Sequence, residues 1–241
     1  MKRCAWKKLY RLFLVLILIQ IHFSACTQNS ETTKRMLMVQ TQIVARGITD
    51  EKVIKAMQKV ERHLFVPSQV AADAYRDGPL PIGYGQTISQ PYIVAYMTEI
   101  LDLERDDKVL EVGTGSGYQA AILGEICDSV FSIEIVPELG KRAGNLLKIL
   151  GYENVMVKIG DGYRGWKKHA PFDAIIVTCA PTHIPVPLQD QLKEGGRMII
   201  PVGERYIQKL ILLEKKKGKI VQKAVLPVLF VPMVDEKGNL Y

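Results

Sequence analysis

The chain has 241 residues, 48% of them hydrophobic and 24% charged, with 12 prolines. That is the composition of a packed globular chain, and it excludes disordered, collagen-like and disulfide-scaffold classes. The formal charge of +7 invites a nucleic-acid partner, yet Lys2, Arg3, Lys7, Lys8 and Arg11 all fall within residues 1–26, which hold no acid. Setting those five aside leaves +2 on residues 27–241, too little for an electrostatic footprint on nucleic acid, so no nucleic-acid partner is expected.

Residues 1–26 open with those basic residues, continue through the apolar run Leu12 to Phe23 and leave by small residues to Cys26. The run falls short of the ~20 residues of a spanning helix and has the shape of an export signal. Phe23-Ser24-Ala25-Cys26 is similar to a bacterial lipobox, in which the cysteine is lipidated and becomes the mature N-terminus. The expected location is exported, membrane-attached or periplasmic, with membrane contact only through this leader or its lipid. An ordinary signal, an uncleaved anchor, or a cytoplasmic chain starting at Met36 or Met38 are the alternatives. The polar stretch Thr27 to Lys34 reads as a tether, so the expected divisions are a leader over 1–26, a tether over 27–35 and one domain over 36–241.

From Arg35 the apolar spacing turns helical through Met36, Val39, Ile43 and Val44. A Thr49-Asp50-Glu51 start signal then predicts a second short helix carrying Val53, Ile54, Met57 and Val60. Asp77 to Gly85 is dense in turn formers and reads as a loop, followed by a helix from about Pro91. Strand-length apolar runs occur at Lys108 to Val112, Ser129 to Ile135, Asn154 to Ile159, Ala174 to Thr178 and Arg197 to Val202, with helices predicted over Tyr118 to Cys127 and Pro137 to Leu150. That alternation predicts an α/β fold with a doubly wound, mostly parallel sheet. Lys209 to Glu214, Ile220 to Leu226 and Val228 to Val231 read as closing antiparallel strands, with Lys215 to Lys219 as a solvated hairpin tip. Cys127 and Cys179 read as small buried hydrophobes, and the scattered His63, His169 and His183 give no metal-ligand cluster.

VLEVGTGSGYQ joins the first of these strands to a helix through Gly113, Gly115 and Gly117. Glycines allow a tight turn and a close approach of the backbone to a ligand. The dinucleotide fingerprint wants a third glycine where Tyr118 stands, which favours an adenosyl ligand without a pyrophosphate over NAD. Glu134, closing the second strand, is placed to accept both hydroxyls of a ribose. Gly160-Asp161-Gly162, after the third strand, is placed to meet an adenine edge at the same rim.

LPIGYGQTISQPY from Leu80, VLEVGTGSGYQ, PFDAIIVTCAP from Pro171, LKEGGRMIIPVG from Leu192 and the late FVPMV together resemble the protein-L-isoaspartate O-methyltransferase family, in order from about Met38 to Val234. The resemblance implies a class I methyltransferase (Rossmann-like) core that uses S-adenosyl-L-methionine and no metal. The implied acceptor is the carboxylate freed when Asn or Asp rearranges to L-isoaspartate in damaged proteins and peptides, and the chain is expected to act as a monomer. It assigns Gln86, Thr87, Ile88 and Ser89 to the segment beside the donor sulfonium, with Ser89 as the catalytic residue, and Glu111, Glu134, Asp161 and Gly162 to the donor-binding set beside the glycine loop. One departure stands out: the family tail usually reads VRFVPL, and Leu229 replaces its arginine. Ser89 has no GxSxG elbow around it and is expected to position a carboxylate by hydrogen bonding, since an ionised carboxylate needs no general base.

Overall fold

The computed structural model describes residues 30–204 and 206–241. The leader, with Cys4 and Cys26, and Thr27 to Asn29 of the expected tether lie outside the described residues. The rest of that tether is helical: residues 30–38 form α1. The order comes from Arg35, which is drawn into the fold, its Nε donating to the Gln58 carbonyl at 2.6 Å and its Nη1 pairing with Glu61 at 3.1 Å. α1 runs on through a π turn, Val39–Ile43, and a 3-10 turn, Val44–Arg46. Asp50 then caps α2 (Glu51–Lys59), accepting the Lys52 N–H at 2.7 Å, as the start signal predicts.

The stretch read as a loop contains a strand instead. β1 (Leu80–Gly83) pairs antiparallel with β2 (Gln86–Ile88), with Tyr84 and Gly85 at the tip and two of the turn formers, Pro81 and Gly83, inside β1 itself. Ile82 is buried in the core, and Arg142 Nη2 donates to its carbonyl at 2.8 Å, which pulls the hairpin onto the body. α3 (Pro91–Glu99) follows with Pro91 in its first turn.

β3 (Lys108–Val112), α4 (Tyr118–Ile126), β4 (Ser129–Glu134), α5 (Pro137–Ile149), β5 (Val155–Ile159) and β6 (Phe172–Val177) then alternate as the apolar runs predict. A short helix, α6 (Val186–Gln191), is hidden in the sequence by Pro185 and Pro187, which sit at its cap and first turn where proline is tolerated. β7 (Leu192–Glu204), β8 (Ile207–Lys216) and β9 (Lys219–Val228) complete the chain's ladder. The segment after Val228 is not the further strand its apolar run suggested. Gln208 occupies both backbone groups of Phe230 there, accepting its N–H at 2.6 Å and donating to its carbonyl at 3.1 Å.

The seven main strands lie in the order β5-β4-β3-β6-β7-β8-β9. The first five are parallel neighbours, and β8 and β9 close the sheet antiparallel. This is the doubly wound, mostly parallel architecture expected. Strand alternation divides the core: Val109, Ala174, Ile176 and Ile199 face the layer of α1 to α5, and Leu110, Val112, Ile175 and Met198 face the other side, where Leu188 of α6 and Met233 cover them. Because β3 has β4 on one side and β6 on the other, the connections diverge at its C-terminal end and leave a crevice there.

Candidate active site

At that crevice β3 turns into α4. Gly113 has φ 100°, and a side chain there would collide with Thr178 Oγ1, which donates to the Gly113 carbonyl at 2.7 Å. The glycine therefore lets the loop lie against the end of β6. Gly115, with φ 53°, presents its N–H to Glu134 Oε2 at 2.7 Å, and Glu134 Oε1 accepts the Val136 N–H at 2.9 Å. Burial pushes the Glu134 carboxyl up in pKa, while these N–H groups hold it down. Each of its oxygens keeps a lone pair for a ligand hydroxyl.

Beneath the loop, Glu111 is 0% exposed, and it accepts from Ser132 Oγ, which also contacts Thr114 Oγ1. Its second oxygen, Oε1, has no hydrogen-bond partner among the described residues. Burial pushes its pKa to about 8, with the nearby Glu134 adding to the rise. A folded-state carboxyl held above its unfolded value costs nothing below about pH 4.5, where both states are protonated. The cost grows by up to about 1.4 kcal/mol per pH unit as pH rises toward 8. Glu111→Gln is therefore expected to gain stability over wild type at pH 8 relative to pH 5. Urea unfolding at the two pH values checks this, and a pH-independent difference contradicts it.

Gln86, Thr87, Ile88 and Ser89 form one wall of the cleft. The helix cap a serine could supply here is not used: Gln90 is the N-cap of α3, and no side chain caps it. Arg62, a residue singled out by no motif chemistry, holds this wall. It is 0% exposed, with Nε donating to the Ala74 carbonyl at 2.8 Å, Nη2 donating to the Ser89 carbonyl at 2.7 Å, and its guanidinium 4.8 Å from the centre of the Tyr118 ring. The facing wall is Thr178, Cys179 and Val231 to Val234, with Gly162 at one end. The space between them is partly open to solvent.

Of the residues singled out in the sequence, Gln86, Thr87, Ile88, Ser89, Gly113, Gly115, Glu134 and Gly162 line the cleft. Glu111, Gly117 and Asp161 do not. Gly117 packs against Ala143 and Leu147 on α5. Asp161 stands behind Gly162 with its carboxylate already bonded, to the Tyr163 N–H at 3.0 Å, Arg164 Nε at 3.0 Å and the Tyr241 hydroxyl at 2.6 Å. Cys127 is buried as expected, whereas Cys179 borders the cleft with its thiol pushed up in pKa by burial. No cluster of three metal-ligand side chains occurs among the described residues.

The lining fits an S-adenosyl ligand. Glu134 offers paired acceptors for vicinal hydroxyls, and Gln119 holds a buried oxygen, Oε1, beside the cleft that has no partner among the described residues and is suited to a ligand ammonium. Its amide nitrogen is fixed by Thr98 Oγ1 at 2.9 Å, which leaves that oxygen as the free end.

The family model described as Protein-L-isoaspartate(D-aspartate) O-methyltransferase (PCMT) matches residues 32–238. A protein-L-isoaspartate O-methyltransferase of Opitutus terrae is 53% identical over 225 residues, covering 93% of this chain and 97% of its own. Another from Shewanella sediminis is 50% identical, covering 94% of this chain and 95% of its own. Among solved structures, a protein-L-isoaspartate O-methyltransferase superposes with a TM-score of 0.78 at 30% identity, over 85% of this chain and 67% of the other. A Plasmodium falciparum counterpart in complex with S-adenosyl-L-homocysteine gives 0.73 at 27% identity, over 83% and 97%. With its glycine loop, its β4 carboxylate and its hairpin wall placed around one cleft, the chain belongs to the protein-L-isoaspartate(D-aspartate) O-methyltransferase family.

Proposed function

We propose that this protein transfers a methyl group from S-adenosyl-L-methionine to the free carboxylate of L-isoaspartyl residues in damaged proteins. The following backbone amide nitrogen then displaces methanol from the ester to close a succinimide, which water opens to aspartate or isoaspartate. One observation carries the reading: Thr87, Ser89, Thr178 and Val231 line the donor cleft on one side and a second, apolar groove on the other. The hairpin wall thus stands where donor and acceptor meet.

Bound S-adenosyl-L-methionine supplies an electrophilic methyl group on a positively charged sulfur. Glu134 would hold the adenosyl end through its hydroxyls, and Gln119 Oε1 would meet the amino-acid end. The acceptor carboxylate is already ionised at neutral pH, so no proton has to move and the site's task is alignment. Orientation of this kind is worth up to about 7–11 kcal/mol in favourable systems. The Ser89 hydroxyl positions the carboxylate, and Arg62 fixes the Ser89 backbone from below. Radiolabel transfer to an isoaspartyl peptide, with its aspartyl twin as control, tests the function. Equal labelling of the two, or none, refutes it.

Ser89→Ala is expected to lower kcat by about 10- to 100-fold, the loss of one orienting hydrogen bond of ~1.5–3 kcal/mol. The Kd for S-adenosyl-L-homocysteine should move less than threefold by calorimetry. Equal losses in both would put Ser89 in the donor site.

We also propose that the chain is exported and lipid-attached at Cys26. Supporting export, residues 1–26 hold a basic start without an acid, the apolar run Leu12 to Phe23 and a small-residue exit to Cys26. Mass spectrometry of the native protein should find a lipid-modified Cys26 as the first residue, whereas a soluble chain beginning at Met36 or Met38 refutes export.

A further inference from the structure

We infer that the groove beyond Ser89 selects isoaspartyl polypeptides with an apolar residue beside the isoaspartate, and that Leu229 sets this preference. The inference rests on the methyltransferase reading above and specifies its acceptor.

The groove encloses about 520 Å³, and none of its lining side chains is charged. Ile93, Pro227 and Phe230 supply its apolar surface, and Thr87 and Ser89 lie at the end shared with the donor cleft. Val228 and Phe230 pack inward against the core, and Gln208 pins the Phe230 backbone. Leu229 between them is turned outward, 70% exposed on the lip of the groove. A lone exposed leucine is ordinary on a protein surface. This one is continuous with the wall that carries Ser89, so a polypeptide whose isoaspartyl carboxylate reaches Ser89 must lay its neighbouring residues along it.

Two physical consequences follow. An apolar neighbour removes its own surface and that of Leu229 from water together. A charged neighbour meets no counter-charge in the groove and loses solvation on entering it. The acceptor's own carboxylate escapes this penalty because it reaches the positively charged donor at the far end.

The test is kcat/KM for isoaspartyl peptides that differ only in having Leu, Glu or Lys at the residue before or after the isoaspartate, with aspartyl twins as controls. The enzymes are wild type and Leu229→Glu, a change at an exposed position. Wild type should favour the Leu peptide over the Glu and Lys peptides at one of the two positions by about five- to tenfold, the gain from burying roughly half a leucine side chain. Leu229→Glu should erase that advantage and move the ranking toward Lys.

Equal rates for all isoaspartyl peptides, or a Leu preference unchanged in Leu229→Glu, would overturn the inference while leaving the methyltransferase reading intact. Absence of methylation whatever the flanks would bring down both. A wild-type dimer that Leu229→Glu dissociates without altering peptide ranking would give the groove to a second copy of the chain and overturn the inference.

Discussion

Glu134→Ala is expected to weaken S-adenosyl-L-homocysteine binding by about 10²- to 10⁴-fold, the loss of two charge-assisted hydrogen bonds of ~1.5–3 kcal/mol each. The carboxylate stands at the end of β4, buried, and each oxygen already holds one backbone N–H, from Gly115 and from Val136. Those bonds fix both oxygens before a ligand arrives, so little orientation entropy is lost on binding. They also tie the glycine loop to the strand end, so alanine loosens the loop as well as removing the acceptors. Glu134→Gln keeps the shape and one carbonyl oxygen, and it should fall between alanine and wild type. Titration calorimetry decides: an unchanged Kd in the alanine variant removes Glu134 from the donor site.

Arg62→Met is expected to cost about 3–6 kcal/mol of stability, because the Ala74 and Ser89 carbonyls lose a charged donor at ~1.5–3 kcal/mol each. For a chain of this size that is a fall in Tm of roughly 6–24 °C. Burial lowers the Arg62 pKa to about 10 from 12.5, so the side chain is cationic in folded and unfolded states alike at neutral pH. Its desolvation cost is therefore constant below about pH 10 and is relieved only above it, so the Tm difference should be the same at pH 6 and pH 8. Lysine, with one compact charge in place of a fork, can reach one carbonyl but not both, and Arg62→Lys should recover only part of the loss. Scanning calorimetry checks the series. A Tm within 2 °C of wild type for Arg62→Met, on the scale of less than ~1 kcal/mol, contradicts the assigned role.

The parts of the molecule legible in the sequence are those whose cause is local. The turn after β3 announces itself because three glycines and the strand before them are contiguous, and Asp50 announces α2 because a cap and its N–H partner are two residues apart. The resemblance to a family placed the hairpin wall near the donor although the local reading made it a loop. Turn formers mark the tip, but the strands exist because Ile82 is buried and Arg142 reaches back to it across 60 residues. Arg62 was opaque for the same reason, since its two carbonyl partners lie 12 and 27 residues away. Val228 to Val231 has the apolar pattern of a strand, and the pattern misleads because a single glutamine side chain satisfies Phe230 where a neighbouring strand would have done so. Asp161 shows the converse: a residue the family motif assigns to the donor accepts from the Tyr241 hydroxyl, 80 residues on, and does not line the cleft.

The walls and floor of the cleft are held by different means. Its floor, β3, β4 and β6, sits in the middle of a seven-stranded ladder, whereas its walls are a two-stranded hairpin pinned by Arg62 and Arg142 and a tail segment pinned through Ala180 and Gln208. Displacing a wall requires breaking a few side-chain and single-strand contacts, while melting the floor requires losing the whole sheet. Loosening of the mouth and unfolding of the core are thus different events with different costs.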